Sequence, residues 1–238
     1  MKRLLQMVLL LTISATALSA EIHGAWTLTR GEKDPSKFYL NMTRGGWSHN
    51  GNTVKLTSFQ GLTDAQVNAP TQTPAQFRIV SDAGTITFDG TFRNGDGAGQ
   101  FTFAPNGNFF TQVRNAGVKV NRREGRSEED ELYSLAMMHI SLAYVREMHG
   151  IFPEADLREL SKLRAVDVTS QWLADMRAAG VTISTSRDAI KLAAVGVNAA
   201  YVRELAAAGY KDLTARQLIK LRATGVDAKF IREMSKGK

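Results

Sequence analysis

Apolar and polar residues alternate from Ala25 to about Val113. The runs are short: Trp26-Thr27-Leu28, Phe38-Tyr39-Leu40-Asn41-Met42, Val54-Lys55-Leu56-Thr57, Phe77-Arg78-Ile79, Ile86-Thr87-Phe88 and Phe101-Thr102-Phe103. A period of two, built from β-branched and aromatic residues, marks strands that bury one face. Between the runs stand Asn50-Gly51, Asp82-Ala83-Gly84, Asn94-Gly95 and Asn106-Gly107, which supply the positive φ that tight turns need. The pattern predicts an antiparallel β domain over residues 21–116, with roughly seven or eight strands. Residues 63–74, which include Pro70 and Pro74, read as a loop.

After Ala116 the period changes. Residues 117–126 (GVKVNRREGR) form a polar connector, and residues 127–238 are helical and repetitive. Leu135, Leu163, Leu192 and Leu221 head four units of about 29 residues. Asp156, Thr185 and Thr214 stand seven residues before a unit leucine, each with Glu159, Asp188 or Gln217 three residues on, which is capping-box spacing. Ser127 with Asp130 opens the first copy. A second set of caps, Ser141, Thr169, Asn198 and Asp227, is followed at three residues by Tyr144, Trp172, Tyr201 and Phe230. Val145, Leu173, Val202 and Ile231 extend each aromatic into the stripe that a helix buries. Eight helices of about ten residues follow, paired in four hairpins that must stack to persist. The expected fold class is therefore α+β multidomain, an antiparallel β domain followed by an all-α, solenoid-like array. In that alignment His139, Asp167, Gly196 and Gly225 share a slot just past a helix end, where left-handed backbone is common.

Composition narrows the function classes. The chain has no cysteine, which excludes disulfides, thiolate catalysis and zinc-thiolate sites. Met1-Lys2-Arg3, the apolar run from Leu4 to Leu18, and the small residues up to Ala20 have the layout of a secretory signal peptide over residues 1–20. The mature protein is accordingly expected to be extracytoplasmic, periplasmic or secreted. The formal charge is +7. The excess is spread over both halves, unlike the clustered basic surface of a nucleic-acid binder.

Candidate chemistry is sparse. His23, His49, His139 and His149 show no metal-ligand spacing. Ser48-His49 lacks the Gly-x-Ser-x-Gly elbow of a nucleophile. The run Gly95-Asp96-Gly97-Ala98-Gly99 leads into a strand, whereas a phosphate-cradling loop leads into a helix. Glu128-Glu129-Asp130-Glu131 opens a helix, where acids offset the dipole. No catalytic residue, cofactor or metal ligand is expected. What recurs is charge: Lys162, Lys191 and Lys220 precede unit leucines at intervals of 29, and Arg203 and Arg232 recur in the partner helices. Such rows are either a solvated face or a surface for an acidic protein or anionic envelope polymer. The five residues are the candidate partner-binding set.

The string GVNAAYVRELAAAGYKDLTARQLIKLRATGVDAKFIREM resembles helical repeats in extracytoplasmic regions of bacterial proteins. Notable among these are the repeats that follow the peptidase domain of some beta-lactam sensor-transducer metallopeptidases. DAGTITFDGTFRNGDGAGQFTF resembles a region that often precedes such repeats. Together the two similarities cover nearly all of the mature chain. The zinc chemistry of those peptidases rests on a His-Glu-x-x-His helix, and this sequence has none. The resemblance therefore implies an accessory or sensing module. Three functions stay open: a non-enzymatic extracytoplasmic binding or scaffold protein, an envelope hydrolase with a dispersed site on β-domain loops, and a structural envelope protein assembling through strand edges.

Overall fold

The computed structural model describes residues 22–31, 34–44 and 47–226, with the backbone only for 47–52. The expected signal peptide, the last expected helix with Asp227, Phe230 and Arg232, and the side chains of Ser48 and His49 lie outside the described residues.

Six strands form one curled antiparallel sheet: β1 (Ile22–Arg30), β2 (Phe38–Arg44), β3 (Trp47–Val54), β4 (Thr73–Ser81), β5 (Gly84–Arg93) and β6 (Asp96–Pro105). The spatial order is β3-β2-β1-β6-β5-β4, so two meanders are joined through the β1–β6 pair. The expected seven or eight strands become six for two reasons. After β3 the chain makes a 3-10 turn at Leu56–Ser58, and residues 109–115 form a helix. Phe109, Phe110 and Val113 are spaced to lie on one helical face, and all three are buried. Asn94 (φ 51°) and Gly95 (φ 95°) make the two-residue β5–β6 turn that the sequence predicts. Asn50-Gly51 does not make a turn. It lies within β3, where the register against β2 shifts between Leu40 and Met42, so the pair marks a β-bulge. The loop over 63–74 contains one helical turn, α1 (Asp64–Val67), closed by a Thr63/Gln66 capping box.

Trp26 is at the centre of the sheet's aromatic core. It is 1% exposed and stands opposite Gly99, which in turn pairs with Gly90. A Cβ on Gly99 would run into the Asp89 carbonyl oxygen, and one on Gly90 into the Ala98 carbonyl oxygen and the Trp26 ring. The two glycines thus let the strands and the indole approach more closely than a side chain would allow, with the Trp26 ring packed on Gly90. The indole Nε1–H donates to the Gln100 carbonyl at 3.0 Å and to the Asp89 carbonyl at 3.3 Å. Phe77 and Phe92 pack on the same ring, with centroids at 5.2 and 5.5 Å.

Helix α2 (Phe109–Asn115) follows the sheet, and among the described residues seven helices follow the connector: α3 (Glu128–Met137), α4 (Leu142–Ile151), α5 (Leu157–Ala165), α6 (Ser170–Ala178), α7 (Ser186–Ala194), α8 (Ala199–Ala207) and α9 (Ala215–Ala223). Ser127, Ser141, Asp156, Thr169, Thr185, Asn198 and Thr214 each accept the N–H three residues on, as their spacing predicts. Of the three expected capping boxes only Thr214/Gln217 closes in both directions. Glu159 is drawn instead to Arg187, at 3.1 Å. The left-handed slot holds at His139 (φ 52°), Asp167 (φ 56°), Gly196 (φ 76°) and Gly225 (φ 75°). At each, the next N–H reaches back to the carbonyl of the unit leucine, closing a Schellman turn.

Helices at equivalent places in successive units pack together, α5 on α7 and α7 on α9 in one row, α6 on α8 in another. The first unit behaves differently. Leu132, Tyr133, Leu135 and Ala136 of α3 are buried, and α3 packs on β4, β5 and β6. Tyr133 stacks on Phe101 with centroids at 5.9 Å, and burial pushes its hydroxyl up to about 12. One core consequently runs from the sheet through α3, α4 and α5 to Val168 and Ala189. A second core, from Met176 to Leu218, fills the later units. Trp172 and Ile183 pack against both.

An ion pair ties β2 to α3: the Arg44 guanidinium donates to the Asp130 carboxylate. Burial works against that carboxylate's charge, but hydrogen bonds with Arg44 and Ser127 outweigh it and hold the carboxyl below its ordinary value. A depressed carboxyl stabilises the fold above its free value of about 3.9, and the contribution is lost as pH falls through the lower folded value. Asp130→Asn is therefore expected to lower the urea midpoint at pH 7, with a gap to the parent that closes as pH drops below about 4. Urea titrations followed by circular dichroism from pH 3 to 7 measure this; a gap constant over that range would show that the pair contributes nothing through charge.

Candidate functional site

The three candidate lysines lie on helices of one packed row. Lys162, Lys191 and Lys220 are exposed and occupy the last turns of α5, α7 and α9, which pack one on the next. Packed helices lie about 8–10 Å apart, so the row presents a positive charge roughly once per helix width. Among the described residues, none of the three has a carboxylate within 4.0 Å. Each ammonium also faces the negative end of its own helix, an interaction of about 0.3–1 kcal/mol. Arg203 is exposed on α8, in the other helix row, and Arg232 lies outside the described residues.

The aromatic series is packed between units. Tyr201 is buried and donates to the Val226 carbonyl at 2.7 Å, while Arg222 of the following unit lies over its ring at 4.8 Å. Tyr144 donates to the Leu160 carbonyl at 3.1 Å, with Arg164 of the following unit over its ring at 5.9 Å. Burial raises the Tyr144 hydroxyl well above its ordinary value. His139, in its left-handed slot, is lowered by burial and by Arg164, which favours a neutral ring. His149 lies in the last turn of α4, as expected. Among the described residues no group of three His, Asp or Glu side chains is placed to hold a metal ion.

A second feature is a cleft of about 260 Å³ between the connector, α3 and α5. The connector is anchored beside it. Val118 is 2% exposed, and the Lys119 carbonyl accepts the Leu157 N–H of α5 at 2.9 Å. Leu135, Met138 and Leu157 line the apolar part, and Arg123, Arg126 and Arg158 line the polar part. The one acid in the cleft, Glu131, is already engaged by the Arg123 backbone N–H and lies 3.9 Å from Arg122 Nε. Arg126 Nη1 donates to Ser134 Oγ at 3.2 Å. Sequence reasoning missed this site. Arg122-Arg123-Glu124-Gly125-Arg126 shows only as a polar connector, and nothing local brings Arg158 to it. No protein-family model, curated protein or solved structure matches this chain.

Proposed function

We propose that the protein is a non-enzymatic, extracytoplasmic binding or scaffold protein that presents its helical face to an acidic partner, either a protein surface or an anionic envelope polymer. One observation carries the reading: three exposed lysines, none with a carboxylate within 4.0 Å among the described residues, recur at equivalent places on packed helices. Stacked helical units present extended surfaces of this kind to partners. Arg203, exposed on α8 of the other helix row, adds to the positive charge of the helical half. The resemblance of the repeats to those beside sensor-transducer peptidases supports a sensing-accessory role, and the layout of residues 1–20 supports export.

The test is capture from an envelope fraction by the parent and by the triple variant Lys162→Glu, Lys191→Glu, Lys220→Glu. The parent is expected to hold its partner at 0.1 M salt and release it at 1 M, as the screening length falls from about 10 to 3 Å. The variant is expected to lose the partner at low salt while its circular dichroism stays unchanged. A glutamine triple variant, milder at helix ends, is expected to fall between the two. Equal capture by all three proteins would leave the lysines with their helix-end role alone.

A further inference from the structure

We propose that the cleft between the connector, α3 and α5 binds a small amphipathic carboxylate. Its head would be held by Arg123, Arg126 and Arg158, and its body of a few carbons would lie on Leu135, Met138 and Leu157.

Arg158 stands without a carboxylate partner because of its place in the repeat. Arg158, Arg187 and Arg216 occupy the same position, two residues past the cap, in α5, α7 and α9. At the α5–α7 junction the repeat satisfies that arginine internally, Arg187 pairing with Glu159 of the unit before at 3.1 Å. The residue that corresponds to Glu159 in the first unit is Asp130. Asp130, however, is taken by Arg44 of the sheet. The pairing is not general in the repeat, since Arg216 has no carboxylate within 4.0 Å among the described residues although Asp188 stands at the matching place in α7. For Arg158 the matching acid is already held by the sheet. Arg158 has no carboxylate within 4.0 Å among the described residues, and neither has Arg123.

The remaining chemistry selects the ligand class. Glu131 is matched by Arg122 and by the Arg123 N–H, so the three guanidinia of the cleft carry its surplus charge. A guanidinium presents parallel N–H groups that fit a carboxylate in fork-to-fork geometry. Arg126 spends one nitrogen on Ser134 and keeps other donors free. The apolar wall offers nothing to a bare ion but covers a short alkyl or aryl body. About 260 Å³ sits near the lower bound of the roughly 300–1,000 Å³ of small-molecule sites, which fits a compact ligand. The site shares no residue with the lysine row, so the two readings stand or fall separately.

Isothermal titration calorimetry of the whole mature protein with octanoate tests it, with octan-1-ol and inorganic phosphate as comparators. Octanoate is expected to saturate a single site and to bind more tightly than either comparator. Arg158→Gln, at an exposed position, is expected to weaken octanoate about tenfold, the size of one charged hydrogen bond. Arg123→Gln gives a second reading should the first variant fold poorly. The triple lysine variant is expected to bind octanoate as the parent does. Absence of saturable octanoate binding would overturn the proposal. So would octan-1-ol binding as tightly, which would leave the arginines idle, or phosphate binding as tightly, which would leave the apolar wall idle.

Discussion

Trp26→Ala is expected to lower the free energy of unfolding by about 4 kcal/mol, as large-to-small changes at fully buried aromatics do. That is a quarter or more of the roughly 5–15 kcal/mol that holds a domain folded. The loss has three sources. A large ring that is 1% exposed leaves a cavity between Phe77 and Phe92. Its N–H leaves the Gln100 and Asp89 carbonyls. Gly90 loses the ring packed on it. Gly99→Ala should also be costly, because the added Cβ has no room beside the Asp89 carbonyl. Urea denaturation followed by far-ultraviolet circular dichroism measures both. A loss below about 1 kcal/mol for the tryptophan variant would mean that the aromatic core holds without it.

Trp172→Ala should cost less in energy, about 2–3 kcal/mol for a half-buried ring, but more in cooperativity. Trp172 and Ile183 are the residues that pack against both cores. With the ring gone, Ile183 is left between the sheet-centred core and the one built around Leu192, Leu205 and Leu218. The later helices are then expected to open at lower free energy than the sheet. Hydrogen exchange reads this directly: amides of α8 and α9 lose protection while those of β5 and β6 keep it. Protection lowered equally in both regions would show that the two cores still unfold as one.

Local chemistry is what the sequence shows best. Every described cap from Ser127 to Thr214 is in place, because a cap is decided by a side chain and an N–H three residues away. The slot shared by His139, Asp167, Gly196 and Gly225 is equally local, since few residues accept positive φ. Asn94-Gly95 and Asn50-Gly51 look alike in sequence, yet one turns a hairpin and the other bulges a strand. The difference lies in the register of β3 against β2, which no short window contains. Helix α2 was hidden for a related reason. Phe109-Phe110 continues the apolar character of β6, and only the buried Val113 four residues after Phe109 betrays a helical face. The cleft was the least legible. Arg126 and Arg158 are far apart in the chain and meet because α3 docks on the sheet and the buried Val118 draws the connector down beside α5.

The pairing of rings with the next unit's residues constrains how such an array could have been copied. Tyr144 is followed by Arg164, and Tyr201 by Arg222, with the guanidinium over the ring in both cases. Where the larger indole of Trp172 stands, the corresponding residue of the next unit is Ala193. The ring of one unit and the guanidinium of the next form a matched set at those two junctions, so there the junction carries the match and the single unit does not. A duplication that set a copy of the Trp172 unit before an arginine-bearing one would crowd that seam, while one that copied two adjacent units together would keep every seam intact. An array lengthened two units at a time would thus keep its ring–guanidinium seams, even though the spacing in the sequence counts units one at a time.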